Sequence, residues 1–164
     1  MMTPMGPEPS ILFVCTGNRC RSIAAAALWK ARLQQLDENW AEWRISSAGT
    51  WAEEGEPPPR ALLSMLLERG LDVGGQKSRR LTRDLMAAHR LVLVMEPGHK
   101  EALGVEFPEL KDRVYLLSEM AGHSSPVADP EGGDPEAFAA CIEDIEALLD
   151  QGEDRIMAHA RGHA

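Results

Sequence analysis

The stretch that decides the fold is VCTGNRCRS, at residues 14–22. It follows a short apolar run at residues 11–14 and precedes an alanine-rich segment at residues 23–35 that contains neither glycine nor proline. An apolar run, a glycine-containing loop and a segment of good helix formers predict, in that order, a strand, a tight loop and the start of a helix. The loop is therefore expected to wrap over the N-terminus of that helix.

The residues of this loop are typical of an anion-binding site that begins with a nucleophile, Cys15. Backbone N–H groups at a helix N-terminus converge on one hollow, which suits a phosphate group. The same groups and the helix dipole favour the thiolate form of Cys15. Arg21, separated from Cys15 by five residues, adds a planar fork of donors that matches two phosphate oxygens. Gly17 gives the turn its backbone freedom, and Asn18 tolerates a left-handed conformation. A nucleophilic thiolate at the floor of a phosphate-binding loop predicts a phosphoryl-transfer site.

The rest of the chain alternates apolar runs with helical segments. Apolar runs predict a second strand that ends near residue 47, a third at residues 91–95 and a fourth at residues 114–117. Helices are predicted between and after them, the last one beginning at Asp134-Pro135 with an N-cap followed by proline. Strands that alternate with helices predict an α/β fold, a parallel sheet covered on both faces as a three-layer α/β/α sandwich.

The loop resembles the C-x5-R-S signature of the low-molecular-weight protein tyrosine phosphatases. That family includes bacterial protein-arginine phosphatases and shares its fold with thioredoxin-coupled arsenate reductases. Four further segments occur in the family's order, at residues 46–50, 55–57, 95–99 and 129–133. The resemblance implies a four-stranded parallel sheet with the phosphate-binding loop after its first strand. The phosphatase domain is assigned to residues 10–152, after a flexible leader at residues 1–9 and before a tail or helix extension at residues 153–164.

The resemblance also implies a role for each residue of the site. Cys15 attacks phosphorus and forms a phosphocysteine, while Arg21 holds the equatorial oxygens. Asp129 is the expected general acid, and it then activates the water that hydrolyses the intermediate; its alternative role is that of a turn-forming Asp before proline. No metal or cofactor is expected. The expected substrate-binding residues are those of the loop and one aromatic residue beside it: Thr16, Gly17, Asn18, Arg19, Cys20, Ser22 and Trp51.

Several positions around the site depart from the family pattern. They are Ile23 in place of proline, Ala26 in place of glutamate, Ala52 and Glu131 in place of aromatic residues, and Arg19 in place of an apolar residue or threonine. These changes leave the catalytic residues intact, and they affect the prediction of which substrate the protein binds. A positive charge at Arg19 is expected to favour acidic substrates over a cationic phosphoarginine.

Other residues near the site keep two interpretations. Trp51 either contacts the leaving group or packs locally. Glu96 and His99 follow the third strand and either touch the edge of the site or, as favoured, cap a helix. Cys20 either traps an oxidised Cys15 as a disulfide, as the resemblance implies, or packs in the core. The basic patch at residues 77–80 either attracts an anion or, as favoured, forms a solvated turn.

The leading function is a phosphomonoesterase that acts on protein phosphotyrosine, and the first alternative is a protein-arginine phosphatase. Arsenate reduction is disfavoured because no cysteine for a thiol relay lies between Cys20 and Cys141. A phosphocysteine carrier is disfavoured by the presence of both Arg21 and Asp129, and a non-catalytic phosphate-binding module is disfavoured by the intact set of Cys15, Arg21 and Asp129. The expected ligands are a phosphorylated protein or small phosphomonoester, with inorganic phosphate as product and inhibitor.

Composition limits the remaining classes. The 164 residues suit one domain, and a net charge of −9 argues against nucleic acid as a partner. No apolar run approaches the roughly 20 residues that span a bilayer, and the first residues lack a signal-peptide pattern, so no membrane partner is expected. Three cysteines suit a reducing compartment, and a cytoplasmic location is predicted. The oligomeric state stays open.

Overall fold

The computed structural model describes residues 5–163, so residues 1–4 of the predicted leader and residue 164 lie outside the described residues. Its strands are β1 (Ser10–Cys15), β2 (Arg44–Gly49), β3 (Leu91–Val94) and β4 (Val114–Leu116). Its α-helices are α1 (Arg21–Leu36), α2 (Arg60–Glu68), α3 (Arg83–Ala87), α4 (Pro97–Glu106), α5 (Leu117–Met120) and α6 (Pro135–Ala160). Two 3₁₀ turns, Trp40–Glu42 and Pro108–Arg113, complete the regular structure of the described residues.

The sheet has the order β2-β1-β3-β4, and every neighbouring pair is parallel. The predicted four-stranded parallel sheet is thus confirmed. Because all strands run in one direction, the loops that follow them gather at one edge of the sheet, where open α/β sheets bind ligands. Cys15 is the last residue of β1, and it pairs with Gly49 at the end of β2.

Alternate residues of β1 face opposite sides of the sheet, and each side has its own apolar core. Ile11 and Phe13 pack in a core with α1, α2, α5 and α6, whereas Leu12 and Val14 pack in a second core with α3 and α4. All four of these side chains are fully buried, as in a strand covered on both faces. Helices on both sides of the sheet confirm the three-layer α/β/α sandwich.

The last helix, α6, begins as the sequence predicts and continues into the segment that was expected to be a tail or a helix extension. The Asp134 carboxylate accepts a hydrogen bond from the Ala137 N–H at 3.1 Å, which caps the helix. The helix then passes the assigned boundary at residue 152, and both Ile156 and Ala160 are buried in the same core as Phe13. Residues 153–160 therefore extend the helix and contribute to the core. Among residues 5–163, no helix is both long and apolar enough to cross a bilayer.

Candidate active site

The phosphate loop joins the end of β1 to the start of α1, and its nucleophile is held by a short hydrogen-bond chain. The Cys15 sulfur is buried and lies 3.1 Å from Ser22 Oγ. Asn18 donates from Nδ2 to the same Ser22 oxygen at 2.8 Å, and it has the left-handed backbone that the sequence predicts, with φ of 54°. Ser22 therefore sits against both the sulfur and the residue that turns the loop.

A second strand end fixes the loop from the side. Thr50 donates its N–H to Cys15 O, and Trp51 donates its N–H to Thr16 O, both at 2.9 Å. The close approach needs glycine at position 49, because a Cβ there would lie 2.4 Å from Thr16 O. The loop is thus clamped between α1 and the segment that follows β2.

The basic patch is part of this clamp. The Arg79 N–H donates to Asn18 Oδ1 at 2.9 Å, and its side-chain Nε donates to Ser47 O at 2.9 Å. The Arg80 N–H donates to Glu54 Oε1 at 2.8 Å. The favoured interpretation of this segment as a solvated turn was wrong for Arg79, because its backbone and side chain both bind the strands and loop of the site.

Arg21 is the most connected side chain of the site and is almost completely buried. Its NH1 donates to Glu96 Oε2 at 2.8 Å and to Val127 O at 2.9 Å. Its NH2 lies 3.4 Å from Thr16 Oγ1 and 3.6 Å from Asp129 Oδ2. A buried guanidinium with partners from three different loops is held in one orientation at the edge of the phosphate loop.

Asp129 lies in the loop after α5 with its side chain half-exposed, and its two carboxylate oxygens face different partners. Its Oδ2 faces Arg21, while its Oδ1 accepts a hydrogen bond from the Glu131 N–H at 3.0 Å, as in an Asx turn. The structure thus brings Asp129 to the phosphate loop. The neighbouring acid Asp134 is occupied as the cap of α6.

Glu96 and His99 are the site residues whose role sequence reasoning assigned incorrectly. Glu96 is at the N-cap position of α4, yet its side chain makes no capping hydrogen bond and instead binds Arg21, which lowers the pKa of Glu96. His99 Nε2 lies 2.8 Å from Thr16 Oγ1, and burial lowers the pKa of His99. The favoured capping role was therefore wrong for both side chains. Their position at the carboxyl end of β3 was the available signal.

The three cysteines are free, and all are buried. Burial raises the pKa of the Cys20 thiol, and it raises the pKa of Cys141 to about 12. Both thiols belong to the apolar core beneath the loop, which fits the packing interpretation of Cys141. Within the part of the chain that the structure describes, no three histidine, cysteine or acidic side chains are grouped to hold a metal ion.

The mouth of the site is formed by Arg19, Glu131 and the proline-rich segment. Arg19 Nε donates to Pro57 O at 3.0 Å, and its NH1 forms an ion pair with Glu131. Arg19 therefore lies at the mouth as expected, and the Glu131 carboxylate balances its positive charge. Trp51 is 84% exposed beside the loop, so local packing does not account for its position.

Comparisons with known proteins agree with this geometry. The family model described as "Low molecular weight phosphotyrosine protein phosphatase" matches residues 10–159. A protein-arginine-phosphatase of Geobacillus stearothermophilus is 35% identical over 86% of this chain and 91% of the relative. The low molecular weight protein-tyrosine-phosphatase Wzb of Escherichia coli (strain K12) is 32% identical over 80% of this chain and 84% of the relative.

Among solved structures, the YwlE arginine phosphatase from Geobacillus stearothermophilus superposes with a TM-score of 0.81 at 32% identity. The match covers 95% of this chain and 97% of that protein. The agreement therefore extends over the whole sandwich, including the segments that form the site.

Proposed function

The chain belongs to the low-molecular-weight phosphotyrosine protein phosphatase family, and we propose that it hydrolyses phosphorylated proteins through a phosphocysteine on Cys15. The family makes the chain a hydrolase. The observation that carries the site assignment is the meeting of three groups at one loop. The Cys15 sulfur lies against Ser22, and the buried Arg21 guanidinium lies 3.6 Å from the Asp129 carboxylate.

In the first step, the Cys15 thiolate attacks phosphorus, and the bond from phosphorus to the leaving oxygen breaks. Arg21 and the loop N–H groups hold the equatorial oxygens, whose charge changes in the transition state. Asp129, protonated at this stage, gives its proton to the leaving oxygen, which would otherwise depart as a poor leaving group. Glu96 and Val127 O keep the guanidinium in place while this occurs.

In the second step, water attacks the phosphocysteine, and the sulfur–phosphorus bond breaks. Asp129 accepts a proton from the water, so the acid of the first step becomes the base of the second. The Ser22 hydroxyl, which the structure places 3.1 Å from the sulfur, stabilises the departing Cys15 thiolate. Inorganic phosphate is the product, and it competes with substrate for the same loop.

The substrate contacts divide between backbone and side chains. The backbone N–H groups of the loop hold phosphate oxygens at Thr16, Gly17, Asn18, Arg19 and Cys20. Phosphotyrosine is the leading substrate, since the exposed Trp51 ring can stack on a phenol ring. The Trp51 backbone is bound to Thr16 O, which keeps the indole next to the loop.

Phosphoarginine is the second candidate, and a specific contact favours it. The ion pair of Arg19 with Glu131 removes the repulsion that a free Arg19 would exert on a cationic guanidinium. Relatives at 35% and 36% identity bear the name protein-arginine-phosphatase. If Arg19 still selects against phosphoarginine, Arg19→Thr raises activity on phosphoarginine relative to phosphotyrosine; equal ratios would dismiss that role.

A substrate panel tests the proposal directly. The wild-type protein should hydrolyse p-nitrophenyl phosphate, and Cys15→Ser should be inactive. The same two proteins are then compared on peptides of one sequence that carry phosphotyrosine or phosphoarginine. A Cys15→Ser variant that keeps wild-type activity would refute the phosphocysteine route. The proposal also includes a cytoplasmic location, which the three free cysteines support and cell fractionation can check.

A further inference from the structure

Arg19 joins both walls of the mouth above the phosphate loop. Its NH1 binds the Glu131 carboxylate on one side, and its Nε donates to Pro57 O at 3.0 Å on the other. Arg19 and Glu131 are 112 residues apart, and both replace uncharged residues of the family pattern. Each of them alone would leave an unpaired charge at the mouth, whereas together they form a neutral bridge.

The bridge is coupled to the proposed acid through the backbone. The Glu131 N–H donates to Asp129 Oδ1 at 3.0 Å, so the two residues form one local turn. Among the hydrogen bonds and ion pairs of residues 5–163, those that tie residues 128–133 to other segments are the approach of Asp129 to Arg21 and the pair of Glu131 with Arg19. Loss of the Arg19–Glu131 pair would leave the approach to Arg21 as the remaining such contact that fixes the position of the Asp129 carboxylate.

The second oxygen of Glu131 lies next to Gly17 of the phosphate loop. Its Oε2 is 3.6 Å from the position that a Cβ would take at Gly17. A carboxylate at that place would repel a phosphate group unless its charge is balanced. Arg19 therefore has a second effect, because it neutralises a carboxylate that lies next to the phosphate loop.

We propose that the Arg19–Glu131 pair positions Asp129 for proton transfer and keeps the mouth neutral toward phosphate. The inference rests on the proposed role of Asp129 as the general acid. Arg19 and Glu131 are then positioning residues, and each has a different signature when removed. Loss of Glu131 weakens proton donation, whereas loss of Arg19 weakens proton donation and also leaves a repulsive carboxylate over the loop.

The test compares two substrates that differ in their need for an acid. Phenyl phosphate needs a proton on its leaving oxygen, whereas 2,4-dinitrophenyl phosphate does not. With Glu131→Gln we expect the ratio of kcat/KM for phenyl phosphate to kcat/KM for 2,4-dinitrophenyl phosphate to fall about threefold, the scale of a partly exposed ion pair, because the unpaired Arg19 acts on both substrates alike. With Arg19→Ala, kcat/KM should fall for both substrates, and inorganic phosphate should inhibit more weakly.

A charge swap tests whether the pair itself matters. Arg19→Glu combined with Glu131→Arg should restore the wild-type ratio of the two kcat/KM values. High salt should change that ratio in the wild type but not in Glu131→Gln, because an exposed ion pair is screened. The control is Glu146→Gln in α6. It breaks a similarly exposed ion pair, that of Glu146 with Arg69, and should leave the ratio unchanged.

The outcomes separate this inference from the function on which it rests. Equal losses on both substrates in Glu131→Gln, or a ratio in the wild type that salt does not change, would overturn the positioning role. Failure of the proposed function would appear elsewhere, as Cys15→Ser retaining activity or Asp129→Asn losing none. The inference about the pair can thus fail while Cys15, Arg21 and Asp129 keep their roles.

Discussion

The NH1 group of Arg21 donates a hydrogen bond of 2.8 Å to Glu96 Oε2, which joins the start of α1 to the end of β3. This contact holds the phosphate-binding guanidinium through NH1, whereas Asp129 approaches NH2. The carboxylate carries its charge readily, since the Arg21 hydrogen bond lowers the pKa of Glu96. Glu96 is therefore a positioning residue for Arg21.

Removal of the Glu96 carboxylate should impair catalysis, because Arg21 would lose a partner that fixes its position. We expect Glu96→Ala to lower kcat/KM about tenfold, because small displacements of a catalytic group carry large rate costs. Glu96→Gln keeps an oxygen acceptor and should stay within about threefold of wild type by the same reasoning. Steady-state kinetics on p-nitrophenyl phosphate measures both. Glu109→Ala, which breaks a surface pair with Arg83, is the control. Equal losses in the two Glu96 variants would contradict a positioning role.

Substitution with asparagine should distinguish the roles of Asp129 and Asp134, the two aspartates that precede a proline late in the chain. Asp129→Asn cannot donate a proton, and we expect kcat/KM for phenyl phosphate to fall about 100-fold or more. Asp134→Asn keeps a side-chain acceptor for the Ala137 N–H, so it should retain both activity and stability. Parallel kinetics and thermal melts check the pair of variants. A larger loss of activity in Asp134→Asn would reverse the assignment.

Peroxide should inactivate the enzyme reversibly through Cys20. Peroxide oxidises the Cys15 thiolate to a sulfenic acid, and the Cys20 thiol then condenses with it to a disulfide and releases water. Because burial raises the pKa of Cys20, that thiol stays protonated until the reaction. Mass spectrometry after mild peroxide should find the Cys15–Cys20 disulfide, and Cys20→Ser should give over-oxidised Cys15 instead. Finding only over-oxidised Cys15 in the wild type would reject the idea.

Mild acid should destabilise the fold through His89. This side chain is buried, its Nδ1 lies 2.7 Å from Leu85 O, and burial lowers the pKa of His89 to about 4. The unfolded chain binds the proton at a pKa of about 6.5, so stability is complete above pH 6.5 and is lost as pH falls toward 4. The loss is on the order of 3 kcal/mol at 1.36 kcal/mol per pKa unit.

Urea denaturation at pH 7 and pH 5 measures this dependence. His89→Leu should reduce the difference in unfolding free energy between the two pH values, whatever its own stability. His123→Gln changes an exposed histidine and should leave the difference as in the wild type. An unchanged pH dependence in His89→Leu would show that other groups control acid stability.

Much of the fold and the centre of the site could be predicted because their signals are local. The apolar runs at β1, β3 and β4 predict strands buried on both faces, and the Asp134-Pro135 pair predicts the start of α6. The turn of the phosphate loop follows from Asn18, which tolerates positive φ. Each of these signals comes from residues that are close together in the sequence, within one helical turn or one strand.

The contacts around that centre depend on the tertiary structure. His99 could not be assigned to Thr16 from the sequence, because the parallel sheet brings together residues that are 83 positions apart. Arg19 predicted positive charge at the mouth, and nothing in the sequence indicated that Glu131, 112 positions away, would pair with it. The sequence left residues 153–164 open as a tail or a helix extension, and the core that buries Ile156 and Ala160 favours the helix, which continues to Ala160.

The sequence by itself determined the strand, the loop and the helix that carry Cys15 and Arg21. These two residues lie within one seven-residue segment, and local backbone preference and apolar periodicity act over segments of that length. Only the tertiary structure decided that Glu96 binds Arg21 and that Glu131 pairs with Arg19 beside that loop. The physical reason is that parallel strands bring the ends of distant segments to one edge, where electrostatic partners are chosen by position in space rather than by order in the chain.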